Sequence, residues 1–211
     1  IRLDPLLTPQ QNAAKYFKQY NKAKTAEIML SEQMEKGRRE LAYLESVLEE
    51  IRQAESEQDF NDIRTELQEQ GYLRVNRKAK GGFQRASRPR EYRSAAGLRI
   101  LVGRNNRQND RLTTKDAGKG DWWFHVQKAH GSHVILCTDN ETPDEESIRA
   151  AALLAAWFSQ SREGQNVPVD YTLVKNVKKP AGANPGMVIY STCRTLYVTP
   201  EEKLIRELTT P

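Results

Sequence analysis

Cysteine is nearly missing from this chain: Cys137 and Cys193 are its two, each set in an apolar stretch and neither in a spaced pair. That excludes a disulfide scaffold and fits a reducing compartment in which both thiols are small core residues. Histidine is equally scarce. His125, His130 and His133, even with Cys137 beside them, match no familiar zinc spacing, so no metal is expected. Walker and dinucleotide glycine patterns are absent, and Ser132 between Gly131 and His133 does not make a nucleophile elbow. Neither a cofactor nor an enzymatic activity is therefore expected. No run of 18 apolar residues occurs, and the opening IRLDPLLTPQ has neither a basic nor an apolar signal region. A membrane span and an export signal are not expected. The chain starts at Ile1 rather than Met, as a piece of a longer protein would.

What is present suits one sizeable core or two small units: 211 residues, 37% hydrophobic and 29% charged. The net charge of +5 is unevenly spread. Residues 1–71 carry 10 Lys and Arg against 14 Asp and Glu, and residues 72–211 carry 23 against 14. The second part is thus suited to meet a polyanion, and the first to act as a scaffold or protein-binding arm.

The first part reads as helix. Thr8, Pro9 and Gln11 supply an N-cap, a proline in the first turn and a reciprocal cap. Tyr16, Tyr20, Ala23, Glu27, Leu30, Met34, Gly37, Leu41, Leu44, Leu48 and Ile51 then follow 4-3 spacing, a coiled-coil seam of roughly 65 Å. A shorter seam, Phe60, Ile63 and Leu67, ends at Gly71, so a helical hairpin bending at AESEQ is expected over residues 1–72. The return helix is too short to cover the first. The exposed remainder calls for a missing upstream helix or a coiled-coil partner.

Residues 73–95 read as a basic linker; within them, 74–93 hold eight Lys and Arg and one Glu. Residues 96–211 then read as an α+β domain. Strands are expected at Leu98–Gly103, Asp121–Gln127, Ser132–Cys137, Val167–Val174, Met187–Ser191 and Thr195–Thr199. One apolar helix is capped at Thr142-Pro143-Asp144-Glu145 and packed on a mostly antiparallel sheet. The most informative stretch is LRILVGRNNRQNDRLTTK, residues 98–115, which ends a strand on Gly103 and then offers Arg104, Asn105, Asn106, Arg107, Gln108, Asn109, Arg111 and Lys115. So many donors fit an outward loop that grips phosphate, ribose and base edges; an Asn-rich solvated turn is the alternative. Lys175, Asn176, Lys178 and Lys179, at a strand end before Pro180 and Gly182, are further candidates for phosphate contacts. On a regular strand Trp123 and His125 share one face, opposite Trp122, Phe124 and Val126. An exposed aromatic there could stack on an unpaired base, as could a contribution from His133, while a core role is expected for at least one tryptophan.

These residues carry a resemblance. GLRILVGRNNRQNDRLTT, Asp121 to His125, Gly131 to Val134, VPVDYTLVKNVKKPAGANPG and TLYVTP resemble the C-terminal RNA-binding domain of the NFACT family. TPQQNAAKYFKQYNKAK, LAYLESVLEEI and ELQEQGYL resemble its middle coiled-coil region. His130, where a proline is usual, and Trp122, where an aliphatic residue is usual, are small departures. The family includes a bacterial quality-control factor that binds the obstructed large ribosomal subunit and recruits alanyl-tRNA. It also includes proteins called fibronectin-binding protein A. The resemblance implies rRNA and tRNA as partners, a cytoplasmic, ribosome-associated location and a part in alanine tailing, with peptide-bond chemistry left to the ribosome. It also implies an N-terminal domain and a helix-hairpin-helix region ahead of Ile1. The alternative it leaves is an adhesin that meets fibronectin at the cell surface after export by a non-classical route.

Overall fold

Thr8 opens the first helix by reciprocal capping. Its backbone N–H donates to Gln11 Oε1 at 2.9 Å, and Gln11 N–H donates to Thr8 Oγ1 at 3.2 Å. That helix, α1, runs Pro9–Gln53. The computed structural model describes residues 1–74 and 87–208, and the chain divides into two units, Ile1–Leu44 and Glu45–Pro211. In the first unit, buried Asn12 accepts from Asp4 N–H at 2.9 Å and donates to the Asp4 and Leu7 carbonyls at 3.0 and 3.1 Å, which fastens the leading segment to the helix start.

The expected coiled-coil seam is not the buried face. Tyr20 and Leu30, in the stretch expected to lie uncovered, are exposed in the first unit, but so are Met34 and Leu41 there and Leu48 and Ile51 in the second. The buried residues near the end of α1 are Tyr43, Val47, Glu49 and Glu50, and Tyr43, Val47 and Glu50 lie one residue out of step with Leu44, Leu48 and Ile51. One residue is about 100° around a helix. The most apolar stripe therefore has no cover among the described residues, and the stripe beside it is the one enclosed.

In the second unit, Ser56 caps α2 (Glu57–Glu69) by a capping box with Asp59, and Gly71 leaves the helix at φ +82°, a conformation open to glycine. Residues 75–86 of the expected linker lie outside the described residues. Within the rest of that linker, Arg90–Arg93 form a strand, β1, that was not expected. It turns back to β2 (Arg99–Val102), and β3 (Trp122–Val126), β4 (Val134–Leu136), β5 (Val167–Leu173) and β8 (Arg194–Val198) complete a six-stranded sheet. Its order is β1-β2-β4-β3-β5-β8, with every pairing antiparallel. The fold class is α+β, as expected. Charge made β1 look like linker, but Arg90 is buried there, its guanidinium 4.5 Å from the Phe158 ring centre and its Nη2 donating to the Gln53 carbonyl at 2.9 Å.

One sheet face carries α4 (Glu145–Trp157), whose Ala151, Ala152, Leu154 and Ala155 meet Ile100, Phe124, Val134, Leu136 and Val169. Small alanines let helix and sheet approach closely. The cap of α4 is Asp144, accepting from Ser147 N–H at 2.8 Å, so the helix starts later than the expected Thr142 cap. A short α5 (Glu202–Glu207), also unexpected, adds Ile205 to this core. The other face is enclosed too. There Trp123 and Ile135 meet Leu112 and Val174, beneath α3 (Asn106–Arg111), a π-helical turn at Leu112–Asp116, and a ribbon of β6 (Val177–Lys178) and β7 (Ile189–Tyr190). Of the two cysteines expected in the core, Cys137 is partly buried and Cys193 is exposed.

Candidate nucleic-acid interface

The amide-rich stretch after β2 is no outward loop. Asn105 Oδ1 accepts from Gln108 N–H at 2.9 Å and so caps α3, an arrangement that is worth about 1 kcal/mol. Buried Asn109 accepts from His133 N–H at 3.0 Å, approaching Gly103 so closely that a Cβ there would lie 2.1 Å from its Oδ1. That is why the strand ends on glycine. Buried Asn106 donates from its backbone to the Glu50 carboxylate and from Nδ2 to Ser46 Oγ at 3.0 Å and Glu66 Oε1 at 3.3 Å. The expected outward display of Asn105, Asn106 and Asn109 is thus corrected: all three are buried, Asn105 occupied by the cap of its own helix and Asn106 and Asn109 by tertiary contacts. Arg104 also turns inward. Its Nη1 lies 3.2 Å from Asp59 and 3.6 Å from Glu55, and its Nε donates to the Arg88 carbonyl at 3.0 Å. Burial pulls the Asp59 carboxyl upward, but hydrogen bonds from Ser56 and Glu55 and the Arg104 and Arg90 charges outweigh it, leaving its pKa below the usual value.

The remaining cations of α3 and its π-turn converge. Arg107, Arg111 and Lys115 line a cleft of about 600 Å³ together with Arg88, which lies at the end of the expected linker. Ser87 holds that segment in place: its N–H and Oγ donate to Asp62 Oδ2 at 2.9 and 2.5 Å, and Gln108 Nε2 donates to the Ser87 carbonyl at 2.8 Å. Arg107 meets Glu69 at 3.4 Å and Arg111 meets Asp116 at 3.0 Å, both at exposed positions. Exposed pairs of this kind contribute about 0–1 kcal/mol, so a phosphate can displace them at little cost.

The second basic group is divided. Lys179 is held by Asp110 of α3, whose other oxygen accepts from Gly186 N–H at 2.9 Å. Asn176 donates to Thr172 Oγ1 at 2.9 Å, while Lys175 and Lys178 are exposed but do not line the cationic cleft.

Trp123, His125 and His133 do come together, in a separate cleft. Trp123 is fully buried and stacks on His125 with ring centres 5.7 Å apart at 12°; His133 meets Trp123 edge-on at 5.2 Å. His133 Nδ1 shares a hydrogen bond of 2.8 Å with Thr113 Oγ1. Burial pushes the His125 pKa down to about 4, and burial followed by the neighbouring His125 lowers His133 well below its usual value, so both rings are neutral near pH 7. Among the described residues no cluster of His, Cys, Asp and Glu is arranged to hold a metal ion, and no helix is long and apolar enough to cross a membrane.

Known proteins share this arrangement. Residues 1–85 match the model of the NFACT N-terminal and middle domains, and residues 88–191 match that of the NFACT protein RNA binding domain. A solved structure, the C-terminal part of the fibronectin/fibrinogen-binding protein from Streptococcus suis, superposes with a TM-score of 0.88 at 42% identity, covering 97% of this chain and 81% of that one. The chain belongs to the NFACT family. This NFACT chain is also 40% identical over 210 residues to the Rqc2 homolog RqcH of Bacillus subtilis (strain 168), and 44% identical over 209 residues to the Streptococcus suis (strain 05ZYH33) protein of the same name. In both cases 99% of this chain is aligned, against 36% and 37% of the relative, so the chain spans little more than a third of their length. The cationic cleft lies at the start of the stretch matched to the RNA binding domain; of the four cations expected to meet RNA along residues 104–115, Arg107, Arg111 and Lys115 line it and Arg104 does not. Arg88 belongs to the basic linker, which the sequence offers as an auxiliary RNA contact, and its only individual signal is membership of that basic run.

Proposed function

We propose that this chain is the RNA-binding end of a ribosome-associated quality-control factor. It contacts rRNA of the obstructed large subunit and tRNA, and so helps recruit alanyl-tRNA for tailing of the stalled chain. In this reading it works in the cytoplasm, performs no bond chemistry itself and needs no cofactor. The observation that carries the reading is the cleft of Arg88, Arg107, Arg111 and Lys115 at the edge of the RNA-binding-domain match. Four cations around one concavity, paired at most by exposed carboxylates, suit a phosphate backbone. The similarity to RqcH proteins supplies the ribosomal setting.

The test is binding to purified large ribosomal subunits across a salt series, with tRNA as competitor. Retention should fall steeply with salt. Arg107→Ala and Arg111→Ala should each weaken binding and shallow the salt slope by about one, since each phosphate contact releases roughly one counterion. Retention indifferent to salt and unaffected by both substitutions would overturn the reading. The second reading, docking to fibronectin, draws on the name of the solved Streptococcus suis relative. Fibronectin tested in parallel separates the two: saturable binding to it without any to subunits favours the adhesin.

A further inference from the structure

The cleft over Trp123 is distinct from the cationic one and has a different chemistry. It encloses about 330 Å³, near the lower end of the range for small-molecule sites. Trp123 and His133 form its floor. His125, Tyr190 and Met187 stand around it partly exposed, and Lys128 and His130 lie at its rim. The Tyr190 ring lies 4.8 Å from the Trp123 ring and is fixed there because its hydroxyl donates to Asp170 Oδ2 at 2.8 Å, an acid also held by Thr195 Oγ1 at 2.6 Å. The wall formed by residues 185–187 is fixed as well. Gly186 adopts φ +77° and lies against Asn106, where a Cβ would come within 2.2 Å of Oδ1. The rings are therefore placed before any ligand arrives.

Two features distinguish this cleft from ordinary core packing. Trp123 has an indole N–H without a hydrogen-bond partner among the described residues, although the polar atoms of its neighbours His133 and Tyr190 are engaged. A buried donor left without an acceptor destabilises the fold that holds it. Lys128 holds a left-handed backbone conformation, φ +55°, uncommon outside glycine, at the turn that carries the rim. His130 is engaged by Glu45 at 3.4 Å, which leaves Lys128 as the cation of the rim.

We propose that this cleft captures one unpaired nucleobase of single-stranded RNA, stacked against His125 and Tyr190, with Lys128 meeting the adjoining phosphate. The inference rests on the RNA-binding reading above and adds to it a site that recognises the base rather than the backbone. Stacking on an aromatic platform does not depend on salt as phosphate contacts do.

The test titrates the 211-residue chain with short single-stranded RNA oligonucleotides, each compared with versions that carry an abasic site scanned along the strand. One abasic position should weaken binding to the unaltered chain by about tenfold. His125→Ala should lose the same factor on the intact oligonucleotide, keep the salt slope and no longer distinguish the abasic form, while His125→Phe should restore discrimination. Lys128→Ala, an exposed change that cannot disturb the core, should instead shallow the salt slope by about one. Should the unaltered chain bind intact and abasic strands equally, or His125→Ala keep its discrimination in a folded protein, the base site is refuted while RNA binding stands. Loss of all RNA binding in the unaltered chain would refute the broader reading and this site with it. Discrimination that is erased by an apolar peptide competitor, but not by nucleoside monophosphates, would assign the cleft to a protein ligand and overturn the proposal.

Discussion

Asn106 joins three segments through one side chain and one backbone N–H: Ser46 and Glu50 near the end of α1, Glu66 of α2, and α3 itself. Its partners include two acids that are both buried. Burial first, and then the neighbouring Glu66, raise the Glu50 pKa well above its usual value, against the opposing hydrogen bond from Asn106. Two carboxylates this close do not both ionise at ordinary cost. Folding therefore holds a proton on Glu50 at pH values where the unfolded carboxyl, near 4.5, has released it. The sign follows: this contribution is intact below pH 4.5 and is lost as pH rises through the folded-state value. Glu50→Gln copies the protonated form and keeps an acceptor for Asn106 N–H. It should leave the melting temperature unchanged or higher at pH 8 and flatten its decline as pH rises above 4.5; a variant that melts lower than the parent at pH 8 would contradict a proton held on Glu50.

Helices in this chain show how an element can be foreseen while its face is not. The capping box at Thr8 and the 4-3 apolar spacing announce α1, because both are local properties of a few neighbouring residues. The face it buries depends on what lies beside it. Leu48 is 47% exposed, whereas Val47, next to it, is 4% exposed. Val47→Asp should therefore cost roughly 3 kcal/mol or more by placing a charge where no partner awaits it, while Leu48→Glu should fall within about 0.5 kcal/mol of the parent. Chemical denaturation of the two variants measures the difference, and equal losses would restore the expected seam. As for α3, its sequence reads as an outward loop or solvated turn, and the cap at Asn105 emerges only in the structure. Nothing local indicated that Asn106 and Asn109 would be enclosed, because their partners Glu66 and His133 lie 40 and 24 residues away.

At the scale of the whole molecule, opposing titrations shape stability. His125 and His133 are both less basic folded than unfolded, so the unfolded chain takes up protons first as pH falls below 6.5. The His125 contribution is present above 6.5 and is lost towards about 4, at up to about 1.4 kcal/mol per pH unit, and the His133 contribution is lost in the same direction. Glu50 acts in the other direction, losing its contribution as pH rises above 4.5, so the melting temperature should fall as pH drops from 6.5 towards 4, less steeply than the two histidines alone would make it; a melting temperature that rose as pH fell through this range would rule out the balance. The sequence by itself determined the α+β class, the helical start at Thr8, the shared face of Trp123 and His125, and the basic character of residues beyond 72. These are matters of short-range spacing and summed charge. Only the tertiary structure decided which donors remain available. Arg104 and Asn106 spend theirs inside the fold, Asn105 and Asn109 are buried there as acceptors, Arg90 leaves an apparent linker for the sheet, and Arg88, Arg107, Arg111 and Lys115 stay at one open cleft. The reason is physical: a polar side chain looks the same in sequence whether water or a distant carboxylate satisfies it, and long-range packing alone makes that choice.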